Sequence, residues 1–189
     1  MFKKYIGIDI DGVIGDSDKI FRKHINKHFD VNLKREDIVH FYYDKVMGIP
    51  EKQMKKFWDE FTEKRYWMDI PLLQSVKSSI DYLSEKYSIL IITSRNNRLR
   101  DITEEWLNKN RIKHEKLILL ERQENKLTRV LQENYDLSAI IEDRLDVAEA
   151  FSREGIKAIL FNYQWNKNPK KDHKNIIRVN GWREVLHYL

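Results

Sequence analysis

Five short apolar runs, each followed by a stretch of helical period, leave few folds open to this chain. The runs cover residues 5–10, 88–93, 117–120, 138–141 and 157–161, with a further short one at 176–179. They are rich in isoleucine and leucine and too short for helices, so each reads as a strand buried on both faces. Between them apolar side chains recur every three or four positions. Ile20, Phe21, Ile25 and Phe29 share one face after Ser17; Leu73, Val76, Ile80 and Leu83 share one after Pro71, which is expected to open that helix. Leu99, Ile102, Thr103, Trp106 and Leu107 form a third such set, and helices are also expected over 126–134, 146–153 and 181–188. Strands alternating with helices imply an α/β fold, a doubly wound parallel sheet covered on both faces.

Residues 31–70 break the pattern. They carry Tyr42, Tyr43, Phe57, Trp58, Phe61, Tyr66 and Trp67 among many charges, with Gly48 and Pro50 as an internal break. The segment reads as a small helical insertion, which divides the chain into a core of 1–30 and 71–189 and an insertion of 31–70.

Composition narrows the chemistry. The sequence holds no cysteine, which excludes disulfides, thiolate metal sites and cysteine nucleophiles. Its net charge of +5 favours anionic partners: phosphate esters, nucleic acid and anionic lipid all fit that sign. The basic residues are spread along the chain rather than gathered in a dense run, which argues against nucleic acid. The N-terminal Met1-Phe2-Lys3-Lys4 leads straight into residues 5–9, too short an apolar run and too soon acidic for a signal peptide. No stretch reaches the ~20 apolar residues of a membrane span. A cytoplasmic protein with no membrane partner is expected; the oligomeric state is left open.

In a parallel sheet ligands bind beyond the carboxyl ends of the strands, so the residues after each run carry the chemistry. The first run ends in Asp9-Ile10-Asp11-Gly12-Val13, the second in Thr93-Ser94-Arg95, and the fourth in Glu142-Asp143 with Asp146 shortly after; Lys126 opens the helix before the fourth. Each has an ordinary explanation alone. Asp11-Gly12 is a turn dipeptide, Thr93 or Ser94 can cap a helix, Lys126 can be solvated, and Glu142-Asp143 can sit at a helix entry. Together they bring acids, a hydroxyl and an amine to one sheet edge, an arrangement that is costly without a bound cation and anion.

This combination resembles the haloacid dehalogenase-like hydrolase superfamily. Asp9-Ile10-Asp11-Gly12-Val13 matches its first motif, Thr93 its second, Lys126 its third and Glu142-Asp143 its fourth, with Glu142 where relatives often carry aspartate. Residues 31–70 occupy the place of that superfamily's C1-type cap. Within it the chain is most similar to the 5'(3')-deoxyribonucleotidases and the bacterial nucleotidases related to them, through residues 8–16, 91–95, 140–144 and 177–182.

The resemblance implies a magnesium-dependent phosphomonoesterase. Asp9 would be the nucleophile, forming an aspartyl-phosphate, and Asp11 the general acid and then base. It also implies Mg2+ held by Asp9, the Asp11 carbonyl and Asp143, with Glu142 and Asp146 acting through water. Lys126 would neutralise the nucleophile and the phosphoryl oxygens, and Thr93, Ser94 and Arg95 would bind phosphate; a surface position is the other reading of Arg95. Among the insertion's aromatics, Tyr42, Tyr43, Trp58 and Trp67 are candidates to stack on a nucleobase or to form the insertion's own core. The expected substrate is a small phosphate ester, a nucleoside monophosphate first. The rivals are a sugar phosphate or other small metabolite phosphate, a nucleic-acid end, and a catalytically silent nucleotide-binding module.

Overall fold

The computed structural model describes residues 4–121, 124–167 and 172–189. Met1 to Lys3, on which the reading of the N-terminus partly rests, lie outside them. Six strands form one parallel sheet: β1 (Tyr5–Ile8), β2 (Ser88–Thr93), β3 (Lys116–Leu119), β4 (Leu137–Glu142), β5 (Lys157–Phe161) and β6 (Ile176–Val179). Their spatial order is β3-β2-β1-β4-β5-β6. The order reverses direction between β1 and β4, so the crevice at their carboxyl ends is the topological switch point.

Alternation along the strands explains why both faces are apolar. Ile89 and Ile91 enter one hydrophobic cluster while Leu90 and Ile92 enter the other. The second cluster is closed by α6 (Lys126–Gln132) and α7 (Leu145–Arg153) through Val130, Ala148 and Phe151. The first takes α1 (Ser17–Phe29), α4 (Val76–Lys86), α5 (Arg100–Lys109) and α8 (Trp182–Val185). Trp106 and Trp182 are its largest fully buried side chains. No helix among the described residues is long and apolar enough to cross a membrane.

Residues 31–70 contain α2 (Tyr43–Met47), α3 (Glu51–Glu63) and two short 3-10 turns. Gly48 ends α2 in the left-handed conformation, and Pro50 precedes α3 with an extended backbone. The apolar side of α3, with Met54, Phe57 and Phe61 buried, meets Phe21 of α1, whose ring lies 5.6 Å from that of Phe61. The segment thus adds its buried residues to the first cluster.

Among the boundaries that differ from expectation, three bear on the site. The helix expected to open at Pro71 begins at Val76. The backbone of residues 71–73 pairs with the loop after β1 instead: Asp16 N–H donates to the Pro71 carbonyl, Leu73 N–H donates to the Ile14 carbonyl, and Leu72 bridges Gly15. β1 ends at Ile8, because the Ile10 carbonyl already turns to accept from Ile14 and Gly15. The last helix is a single turn, Trp182–Val185.

Candidate active site

Register places the acids. Ile8 pairs with Ile141, and Asp9 N–H donates to the Ile141 carbonyl at 3.0 Å, so the ends of β1 and β4 lie side by side. Oxygens of Asp9, Glu142 and Asp143 fall within 4.8 Å of one another, and all three residues are buried. Lys126 arrives from the first turn of α6, where Asn125 caps the helix by accepting from Thr128 N–H at 2.8 Å. The Lys126 Nζ donates to Asp9 Oδ1 at 2.5 Å and to Glu142 Oε1. The other Glu142 oxygen accepts from the Asp143 and Arg144 backbone N–H groups.

Charge in this cluster does not balance. With all three ionised, the buried carboxylates face one ammonium, which leaves two negative charges uncompensated. Burial pushes the Asp9 carboxyl up to about 7; Lys126 opposes the shift, and the Glu142 and Asp11 carboxylates add to it. Burial likewise raises Asp143 well above the usual carboxylate range, with Asp9 and Glu142 next. Burial works against the Lys126 ammonium, but Asp9 and Glu142 outweigh it and hold its pKa above the ordinary lysine value.

Asp11 faces elsewhere. Arg95 grips it with two parallel hydrogen bonds, Nε to Oδ2 at 2.8 Å and Nη2 to Oδ1 at 2.7 Å, and the Ser17 hydroxyl donates to Oδ1. Burial favours the neutral acid, but Arg95 overcomes it and, with Ser17, holds the carboxyl below its usual range. The surface reading of Arg95 is therefore corrected: it is buried, because Asp11 supplies the counter-charge that offsets its desolvation.

The donors fit a hard divalent cation. Asp143 Oδ1 is buried without a hydrogen-bond partner, the neighbouring ligand atoms are carboxylate oxygens, and the missing charge is +2. The loop after β1 is shaped to the same end. Gly12 has φ +78°, and a Cβ there would lie 2.6 Å from Asp143 Oδ2. Gly12→Ala is expected to destabilise the fold by about 1–2 kcal/mol from backbone strain and to push Asp143 aside. Thermal unfolding with and without Mg2+ checks this: the variant should melt lower and gain less from the ion than the parent.

The other candidates separate into buried and surface positions. Thr93 is buried at the end of β2, its Oγ1 accepting from Arg95 N–H at 3.2 Å, while Ser94 is exposed. Asp146 lies at the surface with both oxygens on Arg144, outside the cluster of Asp9, Glu142 and Asp143. Tyr43 is buried and donates to Asp18 at 2.8 Å. Trp58 and Trp67 stack at 6.0 Å within the aromatic cluster around Phe21 and Phe61. Of the four aromatic candidates Tyr42 is the exposed one, beside Phe41, over whose ring the Arg144 guanidinium lies at 4.7 Å.

Several residues escaped the sequence reading. Tyr163 OH donates to the Gly12 carbonyl at 2.8 Å, Trp182 Nε1 to the Val13 carbonyl at 2.7 Å, and Asn166 Nδ2 to the Asp143 carbonyl at 2.6 Å. These side chains clamp the two acidic loops from behind. Tyr163 and Trp165 stack at 4.2 Å and, with Arg35 and Glu36, line a cleft of about 540 Å³ beside those loops. The one signal for Tyr163, Trp165 and Asn166 was their position just past β5, at the same sheet edge; Trp182 stands past β6, in the segment 177–182 that carries part of the family resemblance.

Comparisons with known proteins give the chain its family. The family model for 5' nucleotidase, deoxy (pyrimidine), cytosolic type C protein matches residues 3–189. The protein YqfW of Bacillus subtilis (strain 168) is 32% identical over 187 residues, covering 97% of this chain and 92% of that one. Nucleotidase CA_C3379 of Clostridium acetobutylicum is 31% identical over 180 residues, covering 95% and 90%. Among solved structures, the haloacid dehalogenase-like hydrolase SP0104 from Streptococcus pneumoniae superposes with a TM-score of 0.73 at 16% identity, over 98% of each chain. The chain shares the fold of that structure, belongs to the cytosolic type C deoxy 5' nucleotidase family, and is a hydrolase of phosphoric monoesters.

Proposed function

We propose that this chain is a magnesium-dependent nucleoside monophosphatase working through a phosphoryl group on Asp9. The observation that carries the reading is the uncompensated charge of Asp9, Glu142 and Asp143 around Lys126, with Asp143 Oδ1 left unpartnered. Asp9 and Asp143 would hold Mg2+ together with the Asp11 carbonyl, and the ion would cancel the local negative charge that otherwise repels a phosphate dianion.

The chain's own residues supply the rest. Asp9, fixed at a strand end, attacks phosphorus and takes the phosphoryl group as the ester oxygen leaves. The arriving phosphate dianion opposes the pull of Arg95 and favours a protonated Asp11, which gives the ester oxygen that proton; the carboxylate so formed then removes one from the water that cleaves the acyl phosphate. Lys126 keeps Asp9 directed and meets the equatorial phosphoryl oxygens. Glu142, held by Lys126 and two backbone N–H groups, positions the lysine. Thr93 and Ser94 hold the phosphate.

Residues 31–70 act in this reading as the cap that admits a small substrate. Support comes from two contacts with strand-end residues: Arg95 against Trp67 and Arg144 against Phe41, each at 4.7 Å. The adjoining cleft has the volume of a nucleoside-sized site. Tyr42, exposed beside Phe41, is the aromatic proposed to meet the base.

Phosphate release from nucleoside monophosphates, sugar phosphates, phosphorylated oligonucleotides and an aryl phosphate, with Mg2+, tests the reading. A nucleoside monophosphate should give the highest kcat/KM, and Tyr42→Ala should raise KM for it more than for the aryl ester. Preference for a sugar phosphate or an oligonucleotide end would overturn the substrate. Release from no ester would overturn the activity.

A further inference from the structure

Arg95 has more partners than a phosphate ligand needs. Its side chain is 2% exposed. Nε and Nη2 hold both oxygens of Asp11, and Nη1 donates to Thr103 Oγ1 at 3.3 Å. The guanidinium lies 4.7 Å from the Trp67 ring and 6.0 Å from the Trp106 ring. Both tryptophans lie where the insertion returns to the core, Trp67 on the insertion and Trp106 on α5. Trp67 is in the last turn of that segment, and Trp106 Nε1 donates to the Ile70 carbonyl at 2.9 Å.

We propose that Arg95 is a positioning residue that sets the plane of the Asp11 carboxylate and ties it, through Trp67, to the insertion. The inference rests on the acid–base role proposed for Asp11. A planar guanidinium making two parallel hydrogen bonds fixes both the position and the rotation of a carboxylate, which a lysine ammonium cannot do. The aromatic faces in turn fix the guanidinium. Asp11 is thereby oriented by a residue that is itself held where residues 31–70 rejoin the core, so placement of the insertion and readiness of the acid–base group are linked.

The leaving group separates this role from phosphate binding. A nucleoside leaving oxygen needs a proton as it departs, whereas 4-nitrophenolate does not. In single-turnover measurements with Mg2+, Arg95→Gln should slow nucleoside release by roughly 10²-fold, the lower end of an acid–base contribution, and nitrophenolate release by less than about 5-fold. Arg95→Lys should behave like Arg95→Gln, while added guanidinium should restore nucleoside release in Arg95→Ala. Trp67→Leu should show the same leaving-group pattern, less than additively with Arg95→Gln; it also carries the test if Arg95→Gln does not fold. Equal loss on both esters with a raised KM would make Arg95 a phosphate ligand and overturn the proposal. So would unchanged rates on both. A parent protein that hydrolyses neither ester would instead refute the activity on which the inference rests.

Discussion

Asp9→Asn is expected to lower turnover by at least ~10³-fold, the scale on which a covalent nucleophile is lost, while leaving the fold intact. The amide is close in shape to the carboxylate but a poor nucleophile. Stability should not suffer at neutral pH. Burial has raised the Asp9 carboxyl from 3.8 to about 7, so its ionisation opposes folding above pH 3.8, with the full cost reached above about 7. A neutral side chain removes that cost, and Lys126 keeps Glu142 as a partner. At pH 7.5 without Mg2+ the variant should melt no lower than the parent. Circular dichroism melts and steady-state phosphate release check both halves; normal turnover in a folded variant would remove Asp9 from the chemistry.

Stripping divalent metal is expected to abolish activity and to expose the charge imbalance as a loss of stability. Asp9 and Asp143 both titrate higher in the folded chain than in the unfolded one. The metal-free protein should therefore lose stability as pH rises from about 4 to 7, where the unfolded chain has released the Asp9 proton and the folded one still holds it, with Asp143 acting in the same direction. Mg2+ binds the ionised form and should reverse the trend, so the rise in Tm on adding the ion is larger at pH 8 than at pH 5.5. At about 100 times Kd the stabilisation is ~2.7 kcal/mol, which for a chain of this size is roughly 5–10 °C. Asp143→Asn should erase most of that rise together with activity. Full activity in excess chelator, or an undiminished Mg2+ shift in Asp143→Asn, would contradict the assignment.

The sheet and the acids were legible in the sequence because both arise from short-range pattern. Runs such as residues 88–93 can only be strands buried on both faces, and a parallel sheet sends the residues after each run to one edge. Asp9, Thr93, Lys126, Glu142 and Asp143 could be placed on that argument alone. The pattern could not give partner choice. Arg95 comes two residues after Thr93, and nothing local says whether it faces water, phosphate or Asp11; its pairing spans 84 positions of chain. Asp146 has the right spacing from Asp143, but Arg144 competes for it. Pro71 suggested a helix start, yet residues 71–73 bond to a loop almost sixty residues earlier. The clamps from Tyr163, Asn166 and Trp182 were hidden for the same reason, since tertiary hydrogen bonds leave no periodic trace.

The most direct test of the central claim is to catch the phosphoryl group on the protein. Enzyme mixed with a nucleoside monophosphate and Mg2+ is quenched in acid within the first turnover, digested and mapped by mass spectrometry. The account predicts one added phosphoryl group on the peptide carrying Asp9, absent in Asp9→Asn, and increased in Asp11→Asn given 4-nitrophenyl phosphate, whose leaving group needs no acid while the hydrolytic water lacks its base. A phosphoryl group on another residue, or full turnover with no phosphorylated peptide at any quench time, would contradict it.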